Sequence, residues 1–547
     1  MVLARDDNDE KQTLVKVAVI GSGLAGLTSA YLLSHNEHFE PHVFEKGEKL
    51  GMDAASISVG SREDDKFRVD VPMRSFMSGY YSHLFRLYQH LDISFIPAKF
   101  SFGWYRIQAP NINEPLCIAT DQATYKTLNQ SQLSYSGSRT IGSLESPESR
   151  ATTFGEYIYD IYQTCWKLYV VSISYLWLMG MALWLHHRGH LRDREHIVSR
   201  MTLGDWFRRH HFHPYFVHDI FVPLFAAVCT NSWKSMLDYP AVDVLEYMAM
   251  GLFQESYVVS GGVRNIVQKL ASPLQHIHLQ TCIVSIKPSS VPGYKLELQD
   301  ASGRIYQFHH VIFATQGNQA LKILEQCRSQ LLSAQEKACC TEADQTLYKD
   351  IGLASDILGQ FRYDKSVVVN HTDTRLLPSD QKSWRSLNFA SLDSSVQLSE
   401  KNDVTIPYPH DTTMTTHILT MTHDNHILKA KDNLIYMQTT NPCVSPLADK
   451  ILSKAWFERA TVTLTSKKAI FDGLFSPKDD RNTASLQLGR CQGNSGIWFV
   501  GSYCWPGIPL LEGCVASAEK VVTEGIAAVE GVPLQVPWKT AVTSNDA

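Results

Sequence analysis

Apolar and polar positions divide the chain into a few legible elements. Val17, Val19 and Ile20 carry an apolar run straight into Gly21-Ser22-Gly23-Leu24-Ala25-Gly26, and a small-residue, Leu-rich helix follows through Leu33. A second apolar run ends in His42-Val43-Phe44-Glu45. Strand, glycine turn, helix, strand and acid together make a dinucleotide-binding fingerprint. Gly21 permits the tight turn, Gly23 lets the backbone approach a pyrophosphate, and Gly26 lets the helix pack closely on the strand. The helix N-terminus offers free N–H groups and a partial positive charge to the phosphates. Glu45 falls 19 residues after Gly26, where a carboxylate accepts ribose hydroxyls and repels a 2′-phosphate.

Further along, Leu84, Leu87 and Leu91 have helical spacing. Residues 110–150 are rich in Ser, Thr, Asn and Gln and predict a mobile excursion. Residues 151–255 predict mostly helix, with Thr202 opening one helix and Asp205 reaching back to cap it. After Ser260-Gly261-Gly262 comes an amphipathic helix to Leu270, then strands over 278–286 and from Tyr294. An apolar strand follows at 310–315. Residues 365–440 alternate apolar and polar, as strands do. Gly496 to Gly501 is another buried strand, and Glu512-Gly513 opens a last small-residue helix.

Residues 168–185 run for 18 positions without a charge, between Lys167 and His186-His187-Arg188. Length and hydropathy allow a membrane span. A single crossing would put two parts of one dinucleotide domain on opposite sides of a bilayer. A helix lying in the membrane interface, or a buried helix beside a substrate tunnel, fits better. The Trp and Tyr content with trailing basic residues suits interfacial attachment.

At 547 residues, two or three domains are expected. The net charge of −5 gives no nucleic-acid surface, and 44% apolar with 19% charged residues is ordinary for a globular protein. Eleven cysteines without a CxxC spacing read as reduced thiols. No apolar secretory stretch opens the chain, so an intracellular, cytoplasmic protein is expected, with membrane association through 168–185. Asp64 and Asp65 sit in a charged run and read as solvated. His186, His187 and His190 read as a basic flank, and no metal site is expected.

The fingerprint, Ser260-Gly261-Gly262, the 311–315 strand, Phe499-Val500-Gly501 and Glu512-Gly513 together resemble the flavin-containing amine oxidase superfamily. Within it the chain looks most like a branch of FAD-dependent oxidoreductases associated with cyclopropane-fatty-acid synthases. That similarity rests on residues 81–91, Leu203-Gly204-Asp205-Trp206, residues 310–324, and His371-Thr372-Asp373-Thr374-Arg375 with Trp384 and Asn388. The resemblance implies an α/β fold: a Rossmann-type FAD-binding domain, discontinuous in sequence, with an inserted α+β substrate domain. The FAD domain would comprise 15–80, 256–325 and 486–530. A mostly helical insert would span 81–255 and a strand-rich substrate domain 326–485, with tails at 1–14 and 531–547. It implies non-covalent FAD, with pyrophosphate over Gly21, Gly23 and Gly26 and ribose on Glu45. Adenine would lie along the Ile283 backbone, and the flavin end near Gly501, Ser502, Glu512 and Gly513. The chain departs from the pattern at Met52, where a glycine is usual, at Ser502, where an acid is usual, and in lacking a His-Glu pair before Gly513.

Flavin chemistry needs the protein chiefly to position a substrate carbon and exclude water. His371, Asp373 and Arg375 would share one face of an alternating strand. His371 is then a candidate base oriented by Asp373, against the alternative of a structural network. Arg74, Tyr80 and Trp505 are candidates for the walls of the site. The expected activity is hydride removal from a C–H bond of an apolar, lipid-like or terpenoid-like substrate. Amine oxidation, redox-neutral isomerisation and a non-catalytic prenyl-binding role like that of Rab GDP-dissociation inhibitors are the alternatives. The oligomeric state is open.

Overall fold

The computed structural model describes residues 14–60, 67–108, 128–136, 143–145, 153–336, 341–392, 414–421, 434–479, 482–483 and 485–542. Asp64, Asp65, Cys339 and Cys340 lie outside these. The apolar run Val15–Ile20 is the middle strand of a five-stranded parallel sheet, in the order His276–His278, Phe39–Phe44, Val15–Ile20, His310–Phe313, Ile497–Phe499. A parallel sheet covered on both faces needs continuous apolar strands. Val17, Ala18 and Val19, and Val311, Ile312 and Phe313, are accordingly fully buried. Strands from four distant parts of the chain complete this Rossmann-type sheet, so the dinucleotide domain is discontinuous in sequence.

The second layer is an eight-stranded mixed sheet. Its order is Ile451–Thr461, Arg362–His371, Met437–Thr440, Met414–Ile418, Leu387–Leu392, Phe102–Gln108, Leu128–Ser136, Ser143–Glu145. The last three strands come from the stretch expected to be helical or irregular. Its Ser-, Asn- and Gln-rich sequence lacks a helical stripe. Antiparallel pairing satisfies its backbone, and Leu133 anchors it in the core. Likewise, the strand expected over 278–286 is two strands. His276–His278 joins the parallel sheet, and Ile283–Pro288 opens a three-stranded antiparallel meander.

One side chain ties the mixed sheet to the segment after the short strand Phe67–Val69. Gln438 Nε2 donates to the Asp70 carbonyl (2.9 Å) and to Asn370 Oδ1 (3.0 Å), while Met73 N–H donates to Gln438 Oε1 (2.8 Å). The cap expected at Thr202 is present: its hydroxyl accepts from Asp205 N–H at 3.1 Å.

The apolar segment 168–185 belongs to a longer helix, Phe154–His187, begun by a Thr153/Glu156 capping box. Val170, Val171, Leu178, Met179, Ala182 and Leu185 are buried, and the helix packs on Ala241–Gly251. Its other faces expose Tyr162, Trp166, Tyr169, Leu176, Trp177 and Trp184. The C-terminal stretch expected as a tail carries a packed turn, Pro537–Val542. There Trp538 is buried and its indole N–H donates to Glu519 Oε1 at 2.6 Å.

A Cβ on residue 26 would lie 2.0 Å from the Gly21 carbonyl oxygen. Gly26→Ala therefore forces the first helix off its strand and costs about 2–3 kcal/mol, an overpacking penalty measurable by urea unfolding.

Candidate dinucleotide and substrate site

The glycine turn is open at the start of the first helix. Gly21 takes a φ of +103° and donates its N–H to the Phe44 carbonyl. Gly23 caps the helix Leu24–Leu33 with no side-chain bond, and a Cβ there would meet nothing within 4 Å. The helix start therefore has no side-chain cap and no acid in its first turn, which fits an anionic diphosphate.

Glu45 is braced at the end of the second strand. Its Oε2 accepts from Ser22 N–H (3.2 Å) and Ser22 Oγ (2.5 Å), and its Oε1 accepts from Gly47 N–H (2.8 Å). Ser22 Oγ in turn accepts from Gly51 N–H at 2.8 Å. The Glu45 carbonyl accepts from Thr281 N–H at 2.9 Å, which brings Ile283, two residues on, to the same end of the cradle.

The other end is formed by the last strand and helix. Val500 N–H donates to the Phe313 carbonyl, and Gly501 N–H donates to Ser517 Oγ at 3.0 Å. Gly513 is needed for close approach, since a Cβ there would lie 3.0 Å from the Ser502 carbonyl oxygen and from Trp505 Cβ. The helix Leu511–Lys520 has no side-chain N-cap, leaving a second set of free N–H groups. Trp505 packs on Phe475, while the Tyr80 hydroxyl accepts from Ile508 N–H at 3.1 Å.

Glu512 is committed elsewhere. Its carboxylate accepts from His83 N–H (2.9 Å), Leu84 N–H (3.0 Å) and Ser82 Oγ (3.2 Å), and so caps the helix Ser82–His90. Burial raises its pKa, opposed by His83 and these N–H groups. It locks two helices together in place of the cofactor contact that the resemblance implies.

His371, Asp373 and Arg375 do not share a strand face. The strand ends at His371, and Asp373 instead caps the 3-10 turn Thr374–Leu376. Asp373 N–H donates to His371 Nδ1 (3.1 Å), so the other ring nitrogen carries the proton and donates to Thr439 Oγ1 (2.7 Å). Asp373 is held by Arg375 (2.7 Å) and by Leu447 N–H (2.9 Å). His371 is fully buried, and burial drives its pKa down to about 4. It faces Thr439, on the side of the sheet opposite the Asn370–Gln438 link to Asp70. With both ring nitrogens engaged and no solvent access, the three residues form a structural network.

A second network, around Asp53 and Asp70, has no motif that marks it. Asp53 is paired with Arg68 (2.6 Å) and Arg264 (3.3 Å), and Asp70 Oδ1 accepts from Val263 N–H at 3.0 Å. Among the described residues, one group, Glu40, His42 and His276, brings three metal-ligand atoms within 4.8 Å of one another. The His42 and His276 rings stack in parallel at 4.2 Å, and Lys16 Nζ lies 3.4 Å from Glu40. That arrangement is an ion-paired imidazole ladder. The eight described cysteines are free thiols.

A discontinuous Rossmann-type sheet beside an inserted mixed sheet defines the class: an α/β fold of the amine-oxidase type. Residues 19–91 match the family of NAD(P)-binding Rossmann-like domains. The fold is similar to that of putrescine oxidase bound to putrescine, at 11% identity and TM-score 0.50, covering 94% of this chain and 99% of that one. It is equally similar to a CLA-producing fatty acid isomerase from P. acnes, at 11% identity and TM-score 0.51, covering 93% and 98%. At such identity the likeness is one of fold. Comparison with curated protein sequences gives no match.

His371 yields a pH prediction. Its folded pKa, about 4, lies below the ordinary 6.5, so the unfolded chain takes up protons first as pH falls. Stability is flat above pH 6.5 and drops between 6.5 and 4, by up to about 3 kcal/mol from this residue. His417, also held near 4 by burial, adds to the same window. In urea unfolding, His371→Gln removes its share of the slope. A neutral-pH limb in turnover that disappears in the variant would instead restore His371 as a base.

Proposed function

We propose that the chain is an FAD-dependent oxidoreductase that removes hydride from a C–H bond of an apolar substrate. The observation that carries this reading is the pair of uncapped helix N-termini, at Gly23 and at Leu510, set at the two ends of one glycine-lined cradle. The first suits a diphosphate. The second offers a positive helix end to a developing negative charge on a reduced ring. Glu45, held rigid by Ser22 and Gly47, suits an unphosphorylated adenosine ribose. Bound FAD would supply the hydride acceptor. The chain supplies binding, orientation and a dry wall through Tyr80 and Trp505, and no described cysteine or histidine is assigned a covalent link.

The reading predicts a yellow holoprotein whose flavin leaves with the supernatant after acid precipitation. A colourless protein would sink it in favour of a non-catalytic lipid-binding role. Anaerobic bleaching by acyl lipids supports the leading reading. Bleaching by amines selects amine oxidation, and double-bond migration without net bleaching selects an isomerase.

An apolar substrate also accords with the exposed helix Phe154–His187. We propose that it lies along an intracellular membrane surface, with Trp166, Trp177 and Trp184 at headgroup level and the basic residues after His187 on anionic lipid. Strands of the parallel sheet precede and follow this helix, which disfavours a single crossing. Replacing the three tryptophans with Gln is expected to abolish flotation with anionic liposomes. Unchanged flotation would refute the attachment.

A further inference from the structure

The strands Phe39–Phe44 and His276–His278 lie side by side in the parallel sheet, with His42 directly opposite His276. Glu40 stands two positions before His42 and so shares its face. Three side chains thus meet at the edge of the sheet. His42 Nε2 lies 2.6 Å from Glu40 Oε1, and His276 Nε2 lies 3.8 Å from the same oxygen. One ligand atom from each residue falls within 4.8 Å of the other two. Nitrogen and oxygen ligands of a tetrahedral zinc ion stand about 3.4 Å from one another. The observed spacings bracket that value, so rotation of the side chains is enough to close a shell. The His276 side chain is 39% exposed, which gives an ion a way in from solvent.

The ladder also carries the outer support that a metal-bound imidazole needs. His42 Nδ1 lies 3.2 Å from His278 Nε2. With an ion on its Nε2, the His42 ring keeps its proton on Nδ1 and donates it to His278, which holds the ring in the ligating tautomer. His278 is itself stacked on Phe44 at 4.6 Å, and Phe308 meets His42 edge-on at 5.2 Å. Among the described residues the His276 ring makes no hydrogen bond, so ligation there displaces none. Lys16 Nζ, 3.4 Å from Glu40, is the competing cation, and its partly exposed side chain is free to turn towards water.

We propose that Glu40, His42 and His276 bind one zinc ion, with water in the fourth position. Two imidazoles and one carboxylate suit zinc, whereas magnesium and calcium require shells built of oxygen. The site uses no residue of the glycine-lined cradle and does not rest on the oxidoreductase reading. It does bear on the frame of that cradle, because Glu45 N–H donates to the His278 carbonyl at 2.9 Å. An ion shared by His42 and His276 would staple the edge strand to the strand that ends at Glu45.

The test is calorimetric titration of untagged, EDTA-dialysed full-length protein with zinc chloride. The wild type should bind one zinc per chain and give no binding heat with magnesium. His276→Phe keeps a ring to stack on His42 but removes a ligand, and it should weaken zinc binding at least about tenfold, the scale on which even outer-shell partners act. Lys16→Gln removes the competing cation and should tighten it. His190→Gln, in the basic flank after the long helix, should leave it unchanged. Zinc should also raise the melting temperature of the wild type and not that of His276→Phe. Absence of zinc binding by the wild type overturns the site, and that measurement needs no variant to fold. Binding that survives His276→Phe undiminished, or that His190→Gln removes, also overturns it, assigning the ion to histidines elsewhere on the surface.

Discussion

The carbonyl oxygen of Gly21 occupies the point where a side chain on residue 26 would begin, and Ala314 Cβ lies 3.1 Å from that same point. Three backbones meet there: the end of the first strand, the first turn of its helix, and the end of a strand nearly 300 residues later. Contact at this distance admits no side chain. It fixes the helix axis over the sheet, and the axis fixes where the Leu24 and Ala25 N–H groups point. The direction of the N–H groups at Gly23 is therefore set by packing on the opposite side of the turn.

The same economy of contact recurs at the other end of the cradle. Gly513 lets the last helix sit against Ser502, and Glu512 then binds that helix to the start of Ser82–His90. Neighbouring charge is handled in two ways. Asp53, Glu45 and Glu512 each accept several hydrogen bonds, which makes them parts of the frame. Arg74 differs from these: its enclosed Nη1 makes no hydrogen bond.

The features legible in the sequence were those written over a few adjacent residues. The strand–turn–helix unit from Val15 to Glu45 and the Thr202 cap depend on neighbours in the chain, and both formed where spacing put them. The features that were not legible depend on partners far apart. Gln438 reaches Asp70 across 368 positions, and Glu512 reaches His83 across 429. Composition also misled where pairing decides structure. The polar stretch around Leu128–Ser136 becomes a strand because a neighbouring strand presents an edge to it. For His371 the alternation was read one residue pair too far, past the point where Asp373 turns the chain.

Chain order carries a consequence for biosynthesis. The helix Phe154–His187 ends 310 residues before Ile497, where the last strand of the parallel sheet begins. During translation its aromatic surface is therefore made long before the domain that flanks it can close. A bilayer or a chaperone that shelters this surface early would keep the nascent chain from self-association until that strand arrives. The exposed helix thus bears on how the protein survives its own assembly.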